Sequence, residues 1–307
     1  WKSEVWKDKY KDHNVRKGLR LKFDRGIDDK LKAGFKEYCR WLRSEYTFPI
    51  RVPVYVKNFK KIKAMDGEYV FGTFLGPFNF LEEPYVRVAA GDFKESFEEM
   101  GEQAVYQYLC TLTHELTHYF QWLNNSELTQ IGKERQATIT ADRIVQRYVD
   151  AKYEEKQQFL HKLEQSAKRR EINEAEIDKL RKIAVEDDVN NKILIARILE
   201  ESKLIESEKI LLHLTKDIDD VVRMEACNAL SNSDSLEVYE ALKGIASKDS
   251  VGMVRGYAIV ALGDVAVEIN KEKEATKFLK NLLKREKTDF AIIDIWAVLS
   301  KLLIWNC

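Results

Sequence analysis

The chain has 307 residues, of which 45% are apolar and 33% charged, and its 51 basic residues balance 51 acidic ones. A chain of this length is expected to divide into two domains, because single hydrophobic cores stop growing near about 250–300 residues. The neutral total gives no electrostatic reason to expect a nucleic-acid or membrane-surface partner. No stretch approaches the ~20 apolar residues that span a bilayer, and no signal-peptide pattern opens the chain.

The first 40 residues are locally basic, with thirteen Lys and Arg against seven Asp and Glu. One interpretation is a basic patch for an acidic partner. The favoured one is a solvated helical face that packs Trp1, Trp6 and Tyr10 onto the domain.

Cysteine usage indicates the redox environment. The four cysteines are scattered and form no CxxC pair: Cys39, Cys110, Cys227 and Cys307. This spacing favours neither a zinc ribbon nor a disulfide framework. Reduced thiols in a cytoplasmic protein fit it best.

The first third of the chain alternates between helical and strand patterns. Residues 27–46 have apolar side chains at helical spacing behind an Asp-rich start, which predicts a helix. Strand patterns follow at 50–57, at 60–74 with a turn at Asp66-Gly67, and at 84–91. These segments predict a small, mostly antiparallel sheet.

Helical patterns take over from about residue 96. Residues 104–123 carry one apolar stripe, which predicts a long amphipathic helix. A loop and Gly132 separate it from a second predicted helix at 133–150. A third, strongly charged stretch at about 152–170 contains no Gly or Pro and is interpreted as a helical connector.

From about residue 175 onward the pattern is helical with an internal repeat. VVRMEACNAL at 221–230 and MVRGYAIVAL at 253–262 align 32 residues apart, each after an Asp-containing turn, with weaker copies at 189–199 and 291–299. These segments resemble HEAT repeats, whose Asp, Val-Arg, Ala and Ala-Leu signature they share. The resemblance implies stacked helix pairs that form a solenoid and bind proteins; the alternative is a plain helical bundle.

Two of the five histidines lie four residues apart in the motif HELTH, within the helix predicted at 104–123. His114 and His118 stack on one helix face, away from the apolar stripe, at a spacing that can hold one metal ion. Glu115 is rotated by about 100° from His114, which puts a carboxylate beside the metal without making it a ligand. Zinc hydrolysis chemistry needs this arrangement, because the carboxylate accepts a proton from the metal-bound water. The alternative is two surface histidines.

A small sheet, an HExxH helix and a second helix carrying a glutamate resemble the zincin metallopeptidases of the gluzincin type. HELTH is the pentapeptide of the thermolysin-like enzymes. The resemblance implies that His114 and His118 bind Zn²⁺, that Glu115 is the general base, and that a downstream glutamate is the third ligand. It also implies a protein or peptide substrate bound as an extended strand at the sheet edge, for which Tyr85–Ala90 is the candidate.

The resemblance favours Glu134 as that third ligand. Thermolysin-like enzymes use a Glu-x-x-x-Asp pattern somewhat further along, whereas Glu134 is followed by Thr138. ERQATITA at 134–141 instead matches the Glu-x-x-Ala-x-x-x-Ala arrangement of the compact gluzincins, where Ala137 and Ala141 would let this helix approach the HExxH helix. Glu127, in the loop signal, is the main rival.

Other polar residues remain open or peripheral. Asp142 is either a hydrogen-bond partner of a ligand histidine or a plain surface acid. Tyr119 is an oxyanion-stabilising candidate by residue type alone, and Tyr148 is rejected because it lies too far along the helix. His161 and His213 are interpreted as surface residues.

The sequence therefore predicts an α+β zincin-like domain at 1–170, with the HExxH helix beside a small sheet, and an all-α HEAT-like solenoid at 171–307. The expected function is zinc-dependent hydrolysis of a peptide bond, with the repeats recruiting a protein substrate or regulator. The alternative is a protein-binding HEAT scaffold with a structural or catalytically silent zinc site. Nucleic-acid binding is a distant third.

Overall fold

The chain groups into two units in a computed structural model, Trp1–Glu154 and Glu155–Cys307. The boundary falls inside one long helix, whereas the sequence placed it near residue 170. The structure describes residues 1, 16–65, 67–78, 82–167, 172–185, 188–200, 202 and 204–304. Most of the basic N-terminal segment, including Trp6 and Tyr10, lies outside the described residues, as do Asp66 and Cys307.

The first unit is built around a mixed sheet. Its strands, in chain order, are β1 (Leu19–Phe23), β2 (Val52–Lys57), β3 (Ile62–Lys63), β4 (Tyr69–Val70), β5 (Gly72–Leu75) and β6 (Tyr85–Ala89). Four of them form one sheet in the order β1-β2-β6-β5, while β3 and β4 form a separate antiparallel pair.

The prediction of a mostly antiparallel sheet was wrong. β1 pairs with β2 and β2 pairs with β6 in parallel, and only β5 runs antiparallel to β6. The cause is the connection after β1, a strand that the sequence prediction missed. Helix α1 (Asp29–Glu45) returns the chain to the starting edge, so that β2 runs in the same direction as β1.

Three further helices complete this part of the fold: α2 (Phe93–Met100), α3 (Glu102–Leu123) and α4 (Gln130–Ala167). Helix α3 packs on β5 and β6 and confirms the helix predicted at 104–123. Its stripe of Leu109, Leu112 and Leu116 is buried in the core.

Helix α4 corrects the prediction of two separate helices at 133–150 and 152–170. It is continuous for 38 residues. After Gly132, in its first turn, the helix contains neither Gly nor Pro, so nothing local interrupts its backbone hydrogen bonds.

The second unit contains a helical, solenoid-like body. Its helices are α5 (Glu174–Ala184), α6 (Val189–Leu199), α7 (Ile205–Leu214), α8 (Asp220–Ala229), α9 (Leu236–Lys248), α10 (Gly252–Glu268), α11 (Glu272–Leu283) and α12 (Asp289–Ile304). Helices α6, α8, α10 and α12 pack side by side in that order, and they hold the four copies of the repeat that the sequence predicted. The repeated alanines Ala226 and Ala258 are buried, as close helix packing requires.

Two structural features concern membrane association and the state of the cysteines. No helix within the described ranges has the length and apolar character that crossing a membrane requires. Cys39, Cys110 and Cys227 are all free thiols.

Candidate metal centre

Three side chains converge at the junction of helices α3 and α4. His114 and His118 lie on successive turns of α3, and Glu134 lies in the second turn of α4. The Nε2 atoms of the two histidines are 3.2 Å apart. Glu134 Oε2 lies 3.2 Å from His114 Nε2, and Glu134 Oε1 lies 3.5 Å from His118 Nε2. We call these three side chains the ligand triad.

Close helix packing brings Glu134 to the histidines. Ala137 and Ala141 lie one and two turns after Glu134 on α4, and they are 0% and 3% exposed. Small side chains at these positions permit the close approach that the sequence predicted. Thr138, which stands where thermolysin-like enzymes have Asp, donates a hydrogen bond to the backbone oxygen of Glu134.

The donor set and its spacing fit zinc. Zinc binds histidine nitrogen and carboxylate oxygen at about 2.0–2.2 Å in tetrahedral sites, so two ligand atoms lie roughly 3.3 Å apart. The separations within the triad, 3.2 to 3.5 Å, match that spacing. Burial and the neighbouring His118 lower the pKa of His114, which favours the neutral imidazole that binds metals.

Within the described residues, the triad is the one group of three or more histidine, cysteine and acidic side chains whose ligand atoms converge. A catalytic zinc uses three protein ligands and keeps one position for water. Three residues therefore suffice for a catalytic site.

Glu115 lies beside the triad without joining it. Its side chain is largely buried against β5, where Gly72 makes room for it. A methyl group at position 72 would lie 2.6 Å from Glu115 Oε1. Burial, followed by the negative charge of Glu134, raises the pKa of Glu115 to about 8.

The triad opens into a cleft of about 1280 Å³. One wall is β5 with the Gly76-Pro77-Phe78 segment, and the other is formed by α3 and the first turns of α4. Trp122 also lines the cleft and donates a hydrogen bond from Nε1 to the Pro77 carbonyl oxygen.

The prediction that an extended substrate pairs with Tyr85–Ala90 was wrong. Tyr85–Ala89 forms β6, which pairs with β2 on one side and β5 on the other. It therefore has no free edge to which a peptide could add. Among the strands that the structure describes, β5 is the sheet edge on this side, and it lines the cleft.

Two other candidates have structural partners instead. Asp142 accepts a hydrogen bond from the Tyr106 hydroxyl. This hydrogen bond is made to a tyrosine and not to a ligand histidine. Tyr119, the oxyanion-stabilising candidate by residue type alone, has a buried hydroxyl that donates to the Ile50 carbonyl oxygen and accepts from the Ile50 N–H.

The remaining candidates do not belong to the ligand triad. Glu127 is exposed in the segment before α4 and does not belong to the converging group. Tyr148 packs against Tyr38 in the core. His161 and His213 are exposed.

One residue at the centre was given no role by the sequence. Gln121 lies one turn after His118 on α3. Its side-chain oxygen lies 2.8 Å from His118 Nδ1. The signal was its position three residues after a ligand histidine, one turn along the same face.

The comparisons with known proteins concern the second unit. A protein-family model described as HEAT repeats matches residues 177–263, which run from α5 into α10. HEAT repeats commonly form protein-binding helical scaffolds. A search of curated proteins and a search of solved structures each found no match.

Proposed function

We propose that this protein is a zinc-dependent metallopeptidase of the gluzincin type, which hydrolyses a peptide bond in a protein or peptide. The observation that carries the proposal is the convergence of His114, His118 and Glu134 within 4.8 Å of one another, with the Glu115 carboxylate beside them. Such a constellation in a cleft is typical of a catalytic site rather than of a surface ion pair.

The residues divide the chemistry between them. Zinc, when bound, supplies a Lewis acid and lowers the pKa of a bound water to about 7. The ligand triad would hold it, and Glu115 would accept the proton of the attacking water and pass it to the leaving amine. That step needs the ionised form of Glu115. The positive charge of a zinc ion at the triad would favour this form.

The edge strand β5 supports a peptide substrate. No strand that the structure describes pairs with its outer edge, so the backbone groups there are available for an extended peptide to add as a further strand. Because pairing uses the peptide backbone, it suits substrates of varied sequence. β5 and the ligand triad line the same cleft, which favours a reaction on the peptide backbone.

The HEAT repeats supply a second function class. We infer that they recruit a protein substrate or regulator to the peptidase. The alternative is a protein-binding scaffold whose zinc site is structural or catalytically silent, and the match at 177–263 favours binding in its own right. Structural zinc sites are usually closed by four protein ligands, whereas three side chains converge here within a cleft.

The test compares wild type with Glu115→Gln on a peptide library. Mass spectrometry identifies new termini after incubation of the zinc-loaded full chain with the library. We expect Glu115→Gln to lose activity by about 10²–10⁴-fold, because the proton acceptor is gone, and to retain zinc, because the triad is intact. Glu127→Gln, in the exposed loop, is the matched control and should cleave like wild type.

Equal activity of wild type and Glu115→Gln would contradict the peptidase mechanism. A wild-type protein that holds stoichiometric zinc and cuts no peptide, on its own or with a bound protein partner, would favour the scaffold alternative.

A further inference from the structure

Gln121 has partners at both ends of its amide group. It is a polar residue on α3, one turn after His118, and only 6% of it is exposed. Its Oε1 lies 2.8 Å from His118 Nδ1. Its Nε2 donates hydrogen bonds to the Lys133 carbonyl oxygen and to Gln136 Oε1, each at 2.9 Å.

The backbone carbonyl of Lys133 fixes which way the amide points. A carbonyl oxygen only accepts hydrogen bonds, so the NH₂ group of Gln121 must face it. The amide oxygen of Gln121 then faces His118, and it too can only accept. His118 must therefore carry a proton on Nδ1.

This proton decides which nitrogen of His118 can bind a metal. A neutral imidazole has one N–H, so a proton on Nδ1 leaves a lone pair on Nε2. Nε2 is the atom that faces His114 and Glu134, at 3.2 and 3.5 Å respectively. The chain of contacts from Lys133 thus presents the correct nitrogen to the triad.

We propose that Gln121 is a positioning residue of the metal centre, which fixes the tautomer and ring orientation of His118 for metal binding through Nε2. The proposal rests on the proposed function, because it assumes a metal at the triad. Partners of this kind on a ligand histidine typically change metal affinity or activity by about 10–100-fold when removed.

The same amide also joins the two helices that carry the ligands. Lys133 and Gln136 flank Glu134 on α4, while Gln121 and both histidines belong to α3. A purely structural glutamine would tie the helices together and leave the His118 tautomer to chance. The two roles therefore differ in the state of the His118 ring.

The variants separate these roles. Gln121→Met keeps the length of the side chain and removes every hydrogen bond. Gln121→Glu keeps an acceptor for His118 and loses the donor to Lys133. Gln136→Met removes one tie between the helices without touching His118. Gln107→Met, an exposed glutamine on the same helix, is the matched control.

Two measurements are made on each full-length variant. Heteronuclear NMR of the metal-free protein reports whether His118 is protonated on Nδ1 or Nε2, and chelator competition gives the dissociation constant for zinc. We expect the Nδ1–H form in wild type, Gln136→Met, Gln107→Met and Gln121→Glu. In Gln121→Met we expect a mixture of tautomers and about 10–100-fold weaker zinc binding.

The outcomes distinguish this proposal from the one it rests on. If Gln121→Met keeps the Nδ1–H form and wild-type zinc affinity, the positioning role is wrong while the metal centre stands. If Gln121→Met does not fold, Gln121→Glu becomes the test. A loss of the Nδ1–H form of His118 in Gln121→Glu would then overturn the positioning role. A wild type that binds no zinc overturns the metal centre, whatever the tautomer of His118.

Discussion

At the residue scale, the position of Glu115, the proposed general base, depends on a glycine. Glu115 lies between α3 and the edge strand β5, and it occupies the space where any larger residue at position 72 would put its Cβ. Gly72 lies on the face of β5 that its partner Val88 shares, towards the core. The absence of a side chain there allows a carboxylate to be buried next to the triad.

Gly72→Ala tests this dependence. The added methyl group would lie 2.6 Å from Oε1 and 2.7 Å from Cγ of Glu115, so the carboxylate must move. We expect kcat to fall by about 10²-fold, as displacement of a catalytic group by about 1 Å can cause, while zinc content stays unchanged. Steady-state kinetics and metal analysis on the same preparations check both.

The matched control is Gly244→Ala, because a Cβ at that helical position meets no atom within 4 Å. Undiminished kcat in Gly72→Ala would show that Glu115 is not held by this contact.

At the element scale, the Val-Arg of the repeat signature has a structural purpose. Arg255 on α10 pairs with Glu286, between α11 and α12, and these side chains are 15% and 5% exposed. In the same way, Arg223 of the preceding repeat pairs with Asp249. The arginine hydrogen bonds and two backbone N–H groups lower the pKa of Glu286 to about 2. The repeat motif therefore encodes buried ion pairs between successive repeats.

Glu286→Gln should make the second unit less stable at pH 7, by about 1.5–3 kcal/mol, the range for hydrogen bonds to charged groups. The folded pKa is depressed, so this stabilisation is present above about pH 4.5 and is lost as the pH falls towards 2. Denaturant unfolding of wild type and variant at several pH values measures the difference, which should shrink on acidification.

Glu206→Gln is the control, because the Glu206 pairs with Lys209 and Arg181 are exposed and such pairs contribute little. A difference between Glu286→Gln and wild type that does not change with pH would contradict the assigned pKa shift.

Local sequence patterns predicted which segments form helices and strands better than they predicted how the strands pair. The long periodic stripe of α3 and the repeated helices were found because many positions agree on one period. β1 was missed although its five residues, LRLKF, alternate between apolar and basic side chains, because the basic first 40 residues were interpreted as a solvated helical face. The direction of strand pairing depends on how α1 returns the chain, which no strand pattern contains.

The residues of the candidate centre also differ in how far the sequence could predict them. HELTH fixes the relative positions of His114, His118 and Glu115 because all three belong to one helix. The assignment of Glu134 as the third ligand depended on how closely helices α3 and α4 pack. The alanines Ala137 and Ala141 were the local indication of that packing. Gln121 could not be assigned from sequence, because its role depends on the Lys133 carbonyl oxygen of another helix.

At the scale of the whole molecule, the chain joins two units with different characters. The first carries the ligand triad, the proposed general base Glu115 and β5, an edge strand of the described sheet. The second matches the HEAT-repeat model over residues 177–263 and has a core of its own. In our proposal, the first unit carries out catalysis at the metal centre and the second unit recruits a protein.

The most direct test of that claim is a crystal structure of the full chain, purified without chelators, with anomalous data collected at the zinc absorption edge. We predict one zinc held by His114 Nε2, His118 Nε2 and a Glu134 oxygen at about 2.0–2.2 Å, with the fourth position open to the cleft. A triad without metal, or a zinc completed by Glu127 or closed by a fourth protein side chain, would contradict the proposed catalytic centre.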